Sequence, residues 1–283
     1  MPSLRPCRRA RASVVGAAGL LLAACALTPA PAPVLALPAR AASTPGSALA
    51  KLWAKVPLCA REAAVAEQFE LGNVPAWLAE LTPVQLRATI GDRERVATIW
   101  CTPDVFGVGN DDDWLRMPVT PQLAQQLADR LDCVLPTRVI VDAIWQQSGA
   151  RVTPTPFHPR EHDITSVAVF AASHAAIDRQ LEGTRRGTLV AGQKKDVVIS
   201  ALLADWPGRV VIYGWHRPDG RAIQPLSKVH TTPHVDYSHG IRFVLRTMLV
   251  DGHRTTVDAV LADPVLHVLL SDEGPVAPAR YRT

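Results

Sequence analysis

Val84-Gln85-Leu86-Arg87-Ala88-Thr89-Ile90, then Gly91-Asp92-Arg93-Glu94, then Arg95-Val96-Ala97-Thr98-Ile99-Trp100-Cys101, is the stretch that decides the fold. Apolar and polar residues alternate on both sides of a Gly-Asp turn, which is the period-2 pattern of a β-hairpin. Helical patterns flank it. Residues 60–71 carry Ala63, Ala64, Phe69 and Leu71 on one face and stop at Gly72. Thr120-Pro121 opens a helix to about Leu131, with proline at a tolerated first-turn position. Pro136 and Thr137 open another that ends near Ser148-Gly149. A short strand is expected through Val105–Val108.

Residues 150–165 hold three prolines and no periodicity, and read as a linker or long loop between halves. Beyond them an apolar run starts a helix from Val167 to Leu181. Strands are expected at 188–191, 196–200, 209–215 and 240–249, with a turn at Asp251-Gly252. Short helices follow over Thr256–Leu261 and Pro264–Leu270. Strands and helices mix without strict alternation, so the fold class is α+β, with a mixed or antiparallel sheet and flanking helices.

The first residues are a targeting segment. Arg5, Arg8, Arg9 and Arg11 precede an uncharged apolar run, Ala12 to Ala24. That run is too short to span a bilayer, which takes about 20 residues. Leu22-Ala23-Ala24-Cys25 resembles the end of a bacterial lipoprotein signal, which implies lipidation of Cys25. The alternative is an ordinary secretory signal cleaved after Ala39 or Ala42. The expected organisation is a signal at 1–24, a disordered Pro/Ala-rich tether at 25–50, an N-terminal half at 51–149, the linker, and a C-terminal half at 166–283. The protein is expected to be exported: membrane-anchored by lipid alone, or secreted.

Charge follows from this. The chain has 30 Lys+Arg against 26 Asp+Glu. Four of those arginines fall in the signal, so the remainder is balanced and the basic excess implies no nucleic-acid partner. An exported protein can form disulfides. Cys59 and Cys133, each beside an expected helix, form the expected bridge, and Cys101 is expected as a small buried hydrophobe.

Chemistry concentrates in one window. Five of the nine histidines lie between residues 216 and 253, after the apolar strand Val210-Val211-Ile212-Tyr213-Gly214-Trp215-His216. The residues that follow show no pattern of their own, and long patternless loops on a scaffold usually carry function. His216, His230 and His239 are the candidate acid/base groups or metal ligands, with zinc the candidate cofactor. Asp236 orients an imidazole, and Ser238 is a candidate nucleophile whose alternative is a structural turn serine. Lys195, Tyr213, Trp215, Tyr237 and Arg242 are the candidate substrate-binding residues. His230-x3-His234 has ligand spacing for one helical face, but Pro233 opposes a helix there. Asn110-Asp111-Asp112-Asp113 offers carboxylates suited to calcium, or else a helix-capping acidic loop.

Ser238-His239-Gly240-Ile241-Arg242, downstream of the strand ending Ile212-Tyr213-Gly214, resembles the active-site stretch of the L,D-transpeptidases of the bacterial envelope. That family carries His-Gly after a strand and then Ser-His-Gly-Cys-x-Arg. The resemblance covers about 30 residues; the catalytic cysteine would fall at Ile241, and one residue is deleted. It implies that His239, Gly240 and Arg242 shape a site, and that the substrate is an envelope polymer. The expected function is a hydrolase acting on a glycan or peptide polymer through the loop 213–242. The alternative is a non-catalytic ligand-binding or structural envelope lipoprotein.

Overall fold

The computed structural model describes residues 33–282. Its frame is the expected hairpin. Strands β1 (Thr82–Ile90) and β2 (Arg93–Cys101) pair antiparallel from Thr82↔Cys101 to Ile90↔Arg93. The turn is only Gly91 and Asp92, with Gly91 at φ +60°, where a residue without Cβ is favoured. The register lines up Val84, Leu86, Ala97 and Ile99 as buried residues of the hairpin.

β2 is central. Strands β5 (Cys133–Val134), β12 (Val244–Leu245), β13 (Thr247–Val250) and β14 (His253–Thr256) complete the sheet, in the order β14-β13-β2-β12-β5 with β1 also on β2. Pairs of the small strands β3 (Gly107–Gly109) with β4 (Trp114–Arg116), and β6 (Ala150–Arg151) with β7 (Val190–Ala191), stand apart from it. A four-stranded sheet carries the polar loops: β10 (Ala222–Ser227), β9 (Ile212–His216), β8 (Lys195–Val197) and β11 (His239–Gly240), in that order. Of these contacts only β11 on β8 is parallel.

The helices are α1 (Gly46–Leu52), α2 (Leu58–Glu70), α3 (Pro121–Arg130), α4 (Arg138–Gln147), α5 (Val167–Gln180), α6 (Leu202–Asp205) and α7 (Val257–Ala262). Thr120, Thr137 and Ser166 cap α3, α4 and α5 by accepting from the backbone N–H three residues on. The architecture is α+β, as expected. Among the described residues no helix is long and apolar enough to cross a membrane.

The two halves share one core: Phe106 of the first packs edge-on against Phe243 of the second at 5.9 Å, and β2 pairs with β12 and β13. Residues 150–165 are a long loop within that body. Thr153 is bonded to Gln180, and Phe157 N–H donates to the Tyr237 hydroxyl.

The expected strand 240–249 is cut into β11, β12 and β13, which lie in two sheets. The chain crosses between them where the Arg242 guanidinium donates to the carbonyls of Thr102 and Val190. β10 lies in the stretch expected to be patternless, and Pro225 hides it. Proline cannot donate to a ladder, and the pairing with β9 shifts between Gln224 and Ser227.

The tether also differs. Its first part and Cys25, with the expected signal, lie outside the described residues. From residue 33 it is docked. Leu35 and Leu49 are buried, and Leu35 N–H donates to Ala79 O. The acidic loop clasps this segment: Asp111 holds Arg40, and Asp113 accepts from the Ser47 amide and hydroxyl. Those carboxylates are thereby committed to the fold, not displayed for calcium. Gly46 lies so close to Trp114 that a Cβ would sit 2.4 Å from its carbonyl carbon.

No Cys59–Cys133 bridge forms. Cys59, Cys101 and Cys133 are free thiols; Cys59 is exposed on α2 while Cys133 is buried in β5. Cys101 is buried in β2, as expected.

Candidate metal centre

The site grows from a turn. Asp236 Oδ1 accepts from the Ser238 amide at 2.7 Å and from the Ser238 hydroxyl, and Asp236 O accepts from His239 N–H. This is the local capping of backbone by an aspartate that favours turns at Asp-x-Ser. It leaves Oδ2 free to face the histidines. His234 Nε2 lies 3.2 Å from Oδ2, and His239 Nε2 lies 3.7 Å from it, beyond hydrogen-bond reach.

His239 is fixed by β11. Its partner across the parallel pair is Lys195, and Lys195 N–H donates to Ser238 O. Gly240 permits this approach: a Cβ there would lie 2.7 Å from Lys194 Cβ and 2.9 Å from Val105 Cγ1. His230 is held by its carbonyl, which accepts from Val210 N–H. Its ring stacks on His234 at 4.0 Å and lies 6.3 Å from His239.

His234, Asp236 and His239 each offer a ligand atom within 4.8 Å of the others. His239 is 1% exposed, yet neither ring nitrogen has a hydrogen-bond partner. Buried imidazole nitrogens are normally paired, so this ring fits a bound ion or water. Two imidazoles and a carboxylate suit a zinc-type ion, and three protein ligands leave a coordination position open. Burial pushes the His239 imidazole down to about 4, against the pull of Asp236 and with the help of Lys195 and the neighbouring histidines. Burial lowers His230 too, and His234 adds to this. Burial alone would raise Asp236. The His234 hydrogen bond, His239, Ser238 and Lys195 outweigh it and hold the carboxyl well below its usual range. A neutral His239 imidazole beside an ionised Asp236 carboxylate is the form that binds a metal.

The other candidates fall into three places. Lys195 belongs to the centre: it is half-buried, its Nζ lies over the Trp215 ring at 5.3 Å, and burial lowers its pKa against the attraction of Asp236. Trp215 and Tyr237 pack edge-on beneath it and are buried. Trp215 adopts φ +55°, rare for an aromatic residue and costing about 1–3 kcal/mol. Ser238 is buried and spends its hydroxyl on Asp236, so its part is to steer that carboxylate, not to attack.

His216 is elsewhere. Its Nε2 lies 2.8 Å from Asp142 of α4, and its ring stacks on Trp145 at 5.3 Å. Tyr213 also donates to Asp142. The expected ligand set His216, His230, His239 is therefore corrected to His234, Asp236 and His239, with His230 alongside. Arg242 is a buried core residue, 2% exposed, whose Nη1 and Nη2 go to backbone carbonyls and whose Nε lies 3.8 Å from Asp196, so it is not presented to substrate.

The His230-x3-His234 spacing is present in the sequence, but Pro233 forbids the helix that would place both rings on one face. A turn brings the two rings together instead. A cavity of about 400 Å³ opens against His234, lined also by Lys55, Arg61, Ser166 and Val167. Compared with family models, curated proteins and solved structures, the chain matches none.

Proposed function

We propose that this protein is a metal-dependent hydrolase whose ion is held by His234, Asp236 and His239. The observation that carries the reading is the fully buried His239 ring, with two unpaired nitrogens, facing Asp236 across 3.7 Å. An ion held by these three residues would supply Lewis-acid activation of water near neutral pH. His230, stacked on His234 at 4.0 Å, would serve as the general base and then as the acid for the leaving group. Lys195 stabilises the oxyanion that develops. The substrate is a glycan or peptide of the bacterial envelope, in keeping with the export signal read from Arg5 to Cys25. The rival is a ligand-binding or structural envelope lipoprotein in which the histidines only hydrogen-bond.

The test is metal analysis of the purified protein, with hydrolysis assayed on peptidoglycan, peptides and polysaccharides. The hydrolase reading expects a bound transition metal that His239→Ala loses and His216→Ala keeps, with activity following the metal. No metal and no activity in the wild-type protein would leave the binding reading in its place.

A further inference from the structure

We infer that the cavity against His234 is a subsite for a substrate carboxylate, placed so that the bond to be cleaved lies beside the metal centre. The inference rests on the hydrolase reading for its catalytic meaning and on separate residues for its chemistry. Arg61 of α2 reaches this cavity although it is only 6% exposed. Its one hydrogen bond among the described residues runs from Nη1 to Thr165 O, and its buried Nε has no partner. The guanidinium is held over Phe170, 5.1 Å from the ring centroid. Nη1 is taken and Nε is sealed from the cavity, so Nη2 is the donor left to face it, a charge-assisted partner for one carboxylate oxygen.

Two helix starts reach the same cavity. Ser166 and Val167 open α5, a helix of 14 residues, and Pro57 and Leu58 open α2, a helix of 13. In α5 the Ser166 hydroxyl and carbonyl take the N–H groups of Val169 and Phe170, which leaves Val167 and Ala168 as open donors. Pro57 provides no side-chain cap for α2. Open amides at a helix start attract an anion. Lys55 adds an exposed positive charge on the wall.

The charge balance selects the kind of anion. Asp163 is also on the wall, and both it and Glu62 act on the Arg61 charge. Two cations against these two carboxylates leave no net positive charge, which disfavours a phosphate dianion more than a monoanion. His234 is on the wall as well, so a carboxylate seated on Arg61 presents its neighbouring bonds to a ligand of the metal centre. The substrate class is therefore a peptide or sugar acid with a carboxylate close to the cleaved bond.

The experiment is calorimetric titration of the purified protein, metal-stripped and metal-loaded. The probes are N-acetyl-alanyl-alanine, its C-terminal amide and inorganic phosphate. The acid should bind the metal-stripped protein at least about tenfold more tightly than the amide, because only the acid offers the Arg61 guanidinium a charged acceptor. Arg61→Gln should abolish that preference, and Lys55→Gln, an exposed and fold-neutral change, should reduce it several-fold. Equal binding of acid and amide, or tighter binding of phosphate than of the acid, overturns the subsite. If Arg61→Gln does not fold, the acid–amide comparison and Lys55→Gln still decide. Acid preference in a protein that binds no metal would defeat the hydrolase reading and leave the subsite standing. Metal binding without acid preference would do the reverse.

Discussion

Ser238 gives both its amide and its hydroxyl to one oxygen of Asp236, the amide at 2.7 Å, and so leaves the other oxygen to the histidines. A partner that orients a ligand in this way typically governs about 10- to 100-fold of metal affinity. Ser238→Ala is therefore expected to weaken metal binding within that range while the far-ultraviolet circular dichroism stays unchanged. Competition against a chromogenic chelator measures it. Unchanged affinity would mean that the backbone amide alone holds Asp236.

Gly240 lets β11 approach Lys194 and Val105. A methyl group there forces backbone or side chains apart, which in a packed core costs about 1–3 kcal/mol. Gly240→Ala should lower the urea midpoint accordingly. It should also weaken metal binding, because His239 is the next residue. A variant of wild-type stability would show that the strand has room that its contacts do not suggest.

Lys194 is buried, with its ammonium on Ser173 Oγ at 3.0 Å and on the Tyr237 carbonyl. Burial, aided by Arg116 and opposed by Asp236 and Asp104, pushes it down to about 7 from the ordinary lysine value of 10.5. Between those values the unfolded chain binds the proton and the folded chain does not, so stability rises with pH across that window. The rise should amount to a few kcal/mol, by the order of magnitude of the shift. Urea unfolding at several pH values should show it, and Lys194→Met should flatten it. Identical slopes in the two proteins would mean that the folded ammonium stays charged.

The hairpin and most helices were legible because their signals are local. Alternation around Gly91-Asp92 needs no tertiary context, nor do the caps Thr120, Thr137 and Ser166. What was hidden depends on partners distant in the chain. Pro-rich residues 33–50 read as disordered because Asp111 and Asp113, which dock them, lie some 60 or more positions away. Asp236, His239 and Lys195 were legible as site residues. His234 shows in the sequence only through the His230-x3-His234 spacing, which Pro233 denies a helix, and it arrives through a turn instead. Arg242 misled for the opposite reason: an arginine beside a His-Gly pair invites a substrate role, and only the fold shows the carbonyls that occupy it.

The thiols offer a separate check. Burial raises Cys101 to about 12 and lifts Cys133 well above its ordinary value, whereas Cys59 is exposed. Only thiolates react readily. Iodoacetamide on the native protein should label Cys59 and spare the other two. Labelling after unfolding without reductant should reach all three, as shown by peptide mapping. A Cys59–Cys133 peptide pair in that digest would restore the bridge.

His216 separates the two polar clusters of the four-stranded sheet. Its imidazole joins Asp142 on α4 and stacks on Trp145, so it braces α4 against β9. Removing the ring leaves Asp142 with Tyr213 alone and leaves a hole beside Trp145. The cost expected for an unpaired, poorly filled site is about 1–3 kcal/mol. His216→Ala should therefore lower the urea midpoint and leave metal affinity unaltered, whereas His239→Ala should abolish metal binding. Measuring both properties on both variants decides whether the window holds one site or two. If His216→Ala loses the metal while retaining wild-type stability, His216 reaches the ion in solution and the ligand set must be redrawn around it.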